Sequence, residues 1–381
     1  MDGERTLLVQ VRAESGVVRV TCGDEEIRFE HAHDALIAPH LGSVAAWVCL
    51  PIAMRLGRPL RVCAAGSATV QHNFLRLSEI WGRWLPGHFQ RSTVSFDVVC
   101  SPALESRVGG DLCFYSGGID STHALMCRQE AGLVQTLLTI HGMDYRYADT
   151  DRFDGLLAKT QPFVDWLGSN RLTVRTNAYD VYKRHKVNPP GSDVGHAFVL
   201  AASGFLFADA FERLVLAADY RLDQQFDVHP WGTNTATNRY FDDGAFAVHT
   251  VSEDVTRAEK CAHVANCPEA LASLSFCVDY SARPHNCGRC QKCVRTKAMF
   301  MAASGAVPPI CVDSALQPGC LDAFDLRKKH QRAFFFDLYE TARRAGHVGR
   351  VPGLESAHAH LMARAAGGQG WTERWRRWFK S

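Results

Sequence analysis

Net charge is what this chain has least of. Its 42 Lys and Arg stand against 40 Asp and Glu, leaving +2 with histidine neutral, a balance with no general signature for polyanions. Nucleic acid is therefore a partner that charge does not indicate, although 17 histidines make the balance sensitive to mild acid. Long apolar runs are also missing. The longest, Val44 to Met54, is well short of the roughly 20 residues that cross a bilayer. No basic segment followed by an apolar one opens the sequence, so the expected address is cytoplasmic, with no membrane partner. Internal repeats and low-complexity tracts are absent too.

Cysteine is plentiful, with 14 residues, but a chain this large without a secretory leader does not read as a disulfide framework. Cys22, Cys49, Cys63, Cys100, Cys113 and Cys127 stand singly in apolar runs and are assigned to core, as are Cys261 and Cys267. The length of 381 residues and 46% hydrophobic content allow two or so domains with sizeable cores. Three regions are expected: an N-terminal α/β domain over 1–107, a second α/β domain over 108–260, and a cysteine module with a helical tail over 261–381.

The first region opens as a β-meander, Leu7 to Val11, Val17 to Thr21 and Ile27 to Phe29, followed by a helix over Asp34 to Leu56. A strand at Leu60 to Ala65, a helix from Val70 to Trp84 and a strand at Val94 to Val99 complete it. Ser101 to Gly110, with Pro102 and Gly109-Gly110, reads as a linker. Beyond it strands at Leu112 to Tyr115, Val134 to Ile140, Leu172 to Thr176 and Leu214 to Ala217 alternate with helices. That alternation predicts a doubly wound parallel sheet, with ligands at the carboxyl ends of its strands. The basic, aromatic run from Trp371 to Ser381 is read as a docked amphipathic helix rather than a nucleic-acid contact.

Between the first of those strands and its helix stands Ser116-Gly117-Gly118-Ile119-Asp120-Ser121. Two glycines permit a tight turn close to a ligand, and the free N–H groups and dipole of the following helix favour an anion. Ser116 and Ser121 add hydroxyl donors. Asp120 is expected to cap the helix or to help hold a Mg²⁺ shared with phosphate. The spacing and lysine of a Walker A loop are both missing. Five fixed positions recur by chance in on the order of one in a thousand chains of this length. Ser-Gly-Gly-x-Asp-Ser resembles the PP-loop of the N-type ATP pyrophosphatases, which implies cleavage of ATP between the α and β phosphates with adenylation of a substrate oxygen.

Downstream, Cys277, Cys287, Cys290 and Cys293 form C-x9-C-x2-C-x2-C. Two-residue gaps let thiolates converge on one ion, and four thiolates suit structural Zn²⁺ with no open position. Iron–sulfur ligation remains the alternative, since C-x2-C-x2-C also occurs in ferredoxins.

The loop together with Asn286-Cys287-Gly288-Arg289-Cys290-Gln291-Lys292-Cys293 resembles the 7-cyano-7-deazaguanine synthases and their QueC-like relatives, over roughly residues 111–300. The resemblance implies an adenine nucleotide alpha hydrolase (PP-loop) fold and the cofactors ATP, Mg²⁺ and Zn²⁺. It implies an ATP-dependent ligase that activates a carboxylate, such as 7-carboxy-7-deazaguanine, as its adenylate and passes it to ammonia or another amine. Longer proteins with an added N-terminal domain occur in glycan, natural-product and antiphage-defence gene clusters, so the acceptor expected here includes a protein or peptide amine. Asp120, Ser121 and Lys260 are the expected catalytic residues. Ser116, Gly117, Gly118, Asp120, Ser121, His141, Gly142, Asp219 and Arg257 are the expected nucleotide contacts. Arg257 and Lys260 lie one helical turn apart and could reach phosphates, while Asp219 and His141-Gly142 follow strands at the ligand edge. His196 and His229 are read as structural. Nucleobase thiolation by a PP-loop enzyme and a non-catalytic zinc-ribbon binding module are the competing functions.

Overall fold

The computed structural model describes residues 6–38, 41–101 and 110–367; the run from Trp371 to Ser381 and most of the expected linker lie outside them. Ten strands are described: β1 (Leu7–Glu14), β2 (Val17–Cys22), β3 (Glu25–His31), β4 (Leu60–Ser67), β5 (Val94–Cys100), β6 (Asp111–Phe114), β7 (Gln135–His141), β8 (Arg171–Thr176), β9 (Arg213–Ala217) and β10 (Val248–Val251). The α-helices are α1 (Gly42–Leu56), α2 (Ala68–Trp84), α3 (Ile119–Glu130), α4 (Thr150–Trp166), α5 (Ala178–Arg184), α6 (Gly195–Phe205), α7 (Leu222–Val228), α8 (Thr235–Asn238), α9 (Arg257–Val264), α10 (Pro268–Ser273), α11 (Gln291–Ser304), α12 (Lys329–Ala345) and α13 (Leu354–Gly367).

All ten strands join one mostly parallel sheet in the order β10-β9-β6-β7-β8-β3-β2-β1-β4-β5. The N-terminal strands, read from the sequence as a unit of their own, are continuous with the rest because β3 pairs antiparallel with β8, Phe29 opposite Thr176. A hydrogen bond from Arg28 N–H to Asn177 Oδ1 and one from Asn177 Nδ2 to Glu26 O extend that seam. The helix expected over Asp34 to Leu56 is interrupted: a 3₁₀ turn covers Asp34–Leu36 and α1 begins at Gly42.

Strand periodicity explains the two cores. Side chains alternate faces along β6, so Leu112 and Phe114 enter one apolar cluster and Cys113 and Tyr115 the other. The first cluster runs from Val9 and Phe29 through Trp47 of α1 to Phe198 and Phe205 of α6. The almost wholly apolar α1, with Val44 to Met54 buried, lies inside it. The second cluster gathers α3, α9, α11 and α12 with the cysteine segment. With helices on both faces, the carboxyl ends of β6, β7 and β9 open towards one edge, where loops can converge.

Candidate functional site

β6 ends at Phe114 and α3 starts five residues later, so the turn between them is short. Gly117 makes it possible at φ +75°, and a Cβ there would come within 3.0 Å of Thr160 Cγ2. Its carbonyl accepts the Ser275 N–H at 2.8 Å, which ties the turn to the segment leading into the cysteines. Gly118 is the helix N-cap, without a side-chain cap, and the first-turn N–H groups of α3 have no intrahelical acceptors. Ser116 and Ser121 hydroxyls lie 3.4 Å apart at the mouth of the turn, and Ser121 Oγ also donates to Gly118 O at 3.2 Å. The glycine turn, the helix N-terminus and the two hydroxyls thus stand together at one place.

Asp120 does not cap α3. Its Oδ1 takes the Lys260 ammonium at 3.1 Å and Arg257 Nε at 3.3 Å, and its Oδ2 takes Arg257 Nη2. Burial alone would raise this carboxyl, but the two cations outweigh it and hold Asp120 below the usual carboxylate range. Arg257 is shifted upward by Asp120, Tyr220 and Asp219 against the opposing effect of burial. It also donates to Asp219 O at 3.2 Å and lies 4.6 Å over the Phe334 ring. Lys260 is fully buried and reaches Ala218 O at 2.6 Å. Both cations project from the first turn of α9, where the helix dipole disfavours them. A capping box of Thr256 and Glu259, with Asp337 accepting the Ala258 N–H at 3.0 Å, supplies the compensating acceptors.

These groups border a cavity of 320 Å³ at the carboxyl ends of β6, β7 and β9. Ser116, Gly118, Asp120, Ser121, Asp219 and Arg257 all line it, whereas Gly117, His141, Gly142 and Lys260 do not. Lys260 stands behind Asp120 and fixes it to the end of β9. His141 is buried, stacked on Phe153 at 4.4 Å with Nε2 2.8 Å from Arg146 O. Gly142, at φ +106°, packs so close to Thr176 O that a Cβ would lie 1.8 Å away. That turn sends the next three residues, Met143, Asp144 and Tyr145, into the cavity wall instead.

The opposite wall comes from α6 and the loop before α8. Asp219 Oδ2 accepts Trp231 Nε1–H at 2.7 Å and the Thr233 hydroxyl, whose oxygen lies 2.9 Å from His196 Nε2. His196 Nδ1 faces Asp193 at 3.5 Å, and Tyr179 donates to the same carboxylate at 3.1 Å. Burial works against a charged imidazole, yet Asp193 raises His196 overall. Asp193 itself is lowered, its burial outweighed by hydrogen bonds from His196 and Tyr179. Lys292 and Thr296, one turn apart on α11, complete the lining. Burial lowers the Lys292 pKa, with Arg257 and Arg295 adding to the effect against Asp144 and Asp120. Among the described residues its ammonium has no ion pair.

Lys292, Thr296, Asp193 and Tyr179 line the cavity without being among the site residues expected from the sequence. Lys292 carried one signal, its position between Cys290 and Cys293, where a metal centre would hold it in place. Asp193 and His196 carried another, an acid and a histidine three residues apart at the start of a helix.

Cys277, Cys287, Cys290 and Cys293 come together, with all four Sγ atoms within 4.8 Å of one another. Arg289 and Cys290 N–H groups point at Cys287 Sγ, at 3.4 and 3.2 Å. Buried Asn286 braces the approach, donating to Leu274 O and Ile310 O and accepting the Phe276 N–H. The cluster can hold a metal such as zinc, and its donor set fits the tetrahedral thiolate preference of that ion.

Fold and site define an α/β protein with a large, mostly parallel sheet, a cavity beside the glycine turn and a cysteine cluster able to hold zinc. No family model matches the chain, and neither does any curated protein or solved structure. No described helix is long and apolar enough to cross a membrane.

Proposed function

We propose that the chain is an ATP-dependent ligase of the PP-loop type, similar to the 7-cyano-7-deazaguanine synthases, that activates a carboxylate as its adenylate and passes the acyl group to an amine. One observation carries this reading. The Ser116–Ser121 turn with its neighbour Arg257, and Lys292 of α11, line a single cavity, which gives room for two anions to be held against each other there.

The residues present fit a nucleotide. First-turn N–H groups, two hydroxyls and Arg257 are donors for the β and γ phosphates. Both oxygens of Asp120 are already engaged by cations, which would leave Mg²⁺ to the phosphate oxygens, where it would neutralise their charge. Lys292, without an acid partner, is the group for the carboxylate substrate. Attack of the carboxylate oxygen on the α phosphorus breaks the bond to pyrophosphate, and the amine then displaces AMP from the acyl carbon. Preorganised donors at the cradle stabilise the charge that develops on the departing pyrophosphate. The acids considered are deazaguanine carboxylates and related small molecules, and the acceptors are ammonia, a small amine or a peptide amine.

Thiolation is the less favoured reading. It calls for a sulfur-carrying cysteine or cluster beside the activated base, and among the described residues no cysteine lines the cavity. The test is direct: the full chain is incubated with ATP, Mg²⁺ and a panel of carboxylates and amines, and AMP, pyrophosphate and new amides are read by mass spectrometry. Acid-dependent release of AMP and pyrophosphate, lost in Ser121→Ala, supports the proposal. Cleavage to ADP and phosphate, or release that ignores Ser121→Ala, refutes it.

A further inference from the structure

α3 and α9 pack side by side, and their facing residues form a ladder that begins at the cavity with Asp120 between Arg257 and Lys260. One turn further along α3, His123 meets His263 of α9, ring centroids 5.1 Å apart. Cys127, four residues after His123 and on the same helix face, has its Sγ 3.5 Å from His123 Nε2 and 3.7 Å from His263 Nδ1. A ligand atom from each of the three residues lies within 4.8 Å of the other two. From the sequence, Cys127 reads as core, yet it is only partly buried.

We propose that His123, Cys127 and His263 form a second transition-metal site, a His₂Cys set for Zn²⁺ separate from the four-cysteine cluster. Two observations support it independently. The first is the spacing: bond lengths of about 2.3 Å to sulfur and about 2.0 Å to nitrogen at tetrahedral angles put S and N about 3.5 Å apart, matching both sulfur–nitrogen distances. The second is the far side of His263. Its Nε2 lies 2.8 Å from Glu130 Oε1, which commits the ring proton to Nε2 and turns the Nδ1 lone pair towards Cys127. A carboxylate behind a histidine is the usual outer partner of a zinc ligand.

Asp254 adds a negative charge felt by both His123 and Cys127, opposing the nearby positive charge of Lys260. Without metal, the same atoms form a chain of thiol and imidazole hydrogen bonds. Binding Zn²⁺ releases the thiol proton, and the partly exposed Cys127 and His263 leave the fourth position to water. The ion joins α3 to α9 directly beneath the pairing of Asp120 with Arg257 and Lys260, so occupancy steadies the cradle wall.

The experiment is metal analysis of the full-length protein after equilibration with micromolar Zn²⁺ and desalting. The wild type is expected to retain one equivalent more than Cys127→Ser and one more than His263→Gln. Equal contents in wild type and both variants overturn the proposal. Because a variant can perturb folding, the unaltered chain is also titrated with Co²⁺ after its four-cysteine cluster has been filled with zinc. Uptake of one equivalent, with visible bands of tetrahedral Co²⁺ and a single-thiolate charge-transfer band, is expected; no such spectrum at stoichiometric Co²⁺ overturns the assignment.

Discussion

Lys260 is a buried ammonium whose charge is balanced by Asp120. Removing only one partner of a buried pair costs roughly 3–5 kcal/mol, so Asp120→Ala should lower unfolding free energy by that order in urea titrations. An unchanged midpoint would show that the pairing with Arg257 and Lys260 is not structural. Ser121→Ala leaves no buried charge behind; it should unfold like the wild type while AMP release falls at least about tenfold. Lys292→Met should raise the KM for the carboxylate far more than that for ATP, and equal effects on both would argue against its assigned partner. At this scale the sequence disclosed residue types better than roles. Arg257 and Lys260 are legible as neighbours on one helix, but only the fold shows that both hold Asp120 and that, of the two, Arg257 lines the cavity. His141 is expected at the ligand edge from its place after a strand; the left-handed turn at Gly142 puts Met143, Asp144 and Tyr145 on the cavity wall instead.

Among the elements, α9 depends on acceptors from elsewhere. Asp337 of α12 accepts the Ala258 N–H at the start of α9, and burial raises its pKa to about 6 despite the hydrogen bonds that lower it. An acid with a raised folded pKa binds more protons folded than unfolded, so its contribution declines as pH rises from about 4 to about 6 and is constant above. Asp337→Asn keeps an acceptor and removes that titration. The variant should therefore gain stability relative to wild type, on the order of 2 kcal/mol, between pH 4 and 7; a constant difference across that range would contradict the argument. The strands β6 to β9 were legible because each is an apolar run bounded by turn residues. The short α5 and β10 were not, since seven polar-rich residues and four strand residues carry little local signal. They exist through tertiary pairing, as β10 does along β9.

For the whole molecule, the seam between β3 and β8 means that the N-terminal strands and the cavity-bearing strands share one sheet and one apolar cluster. A chain beginning at Gly110 would expose the edge of β8 and the faces of α5 and α6 that pack under α1. Expressed alone it should be insoluble or aggregated, and a soluble, cooperatively melting fragment would refute that dependence. The sequence pattern divides the chain into a meander, an alternating region and a cysteine module, and the first two share one sheet. It could not disclose the seam, because pairing between strands so far apart depends on edge complementarity rather than on either local pattern.

That seam also sets a schedule. Arg28 and Asn177 are hydrogen-bonded across 149 positions of the chain, and a ribosome adding roughly 5–20 residues per second takes several seconds or more to span them. During that interval β3 is an open edge with no neighbour on one side, a surface prone to pairing with other chains. Yield of soluble protein should therefore rise when translation is fast or a chaperone is abundant.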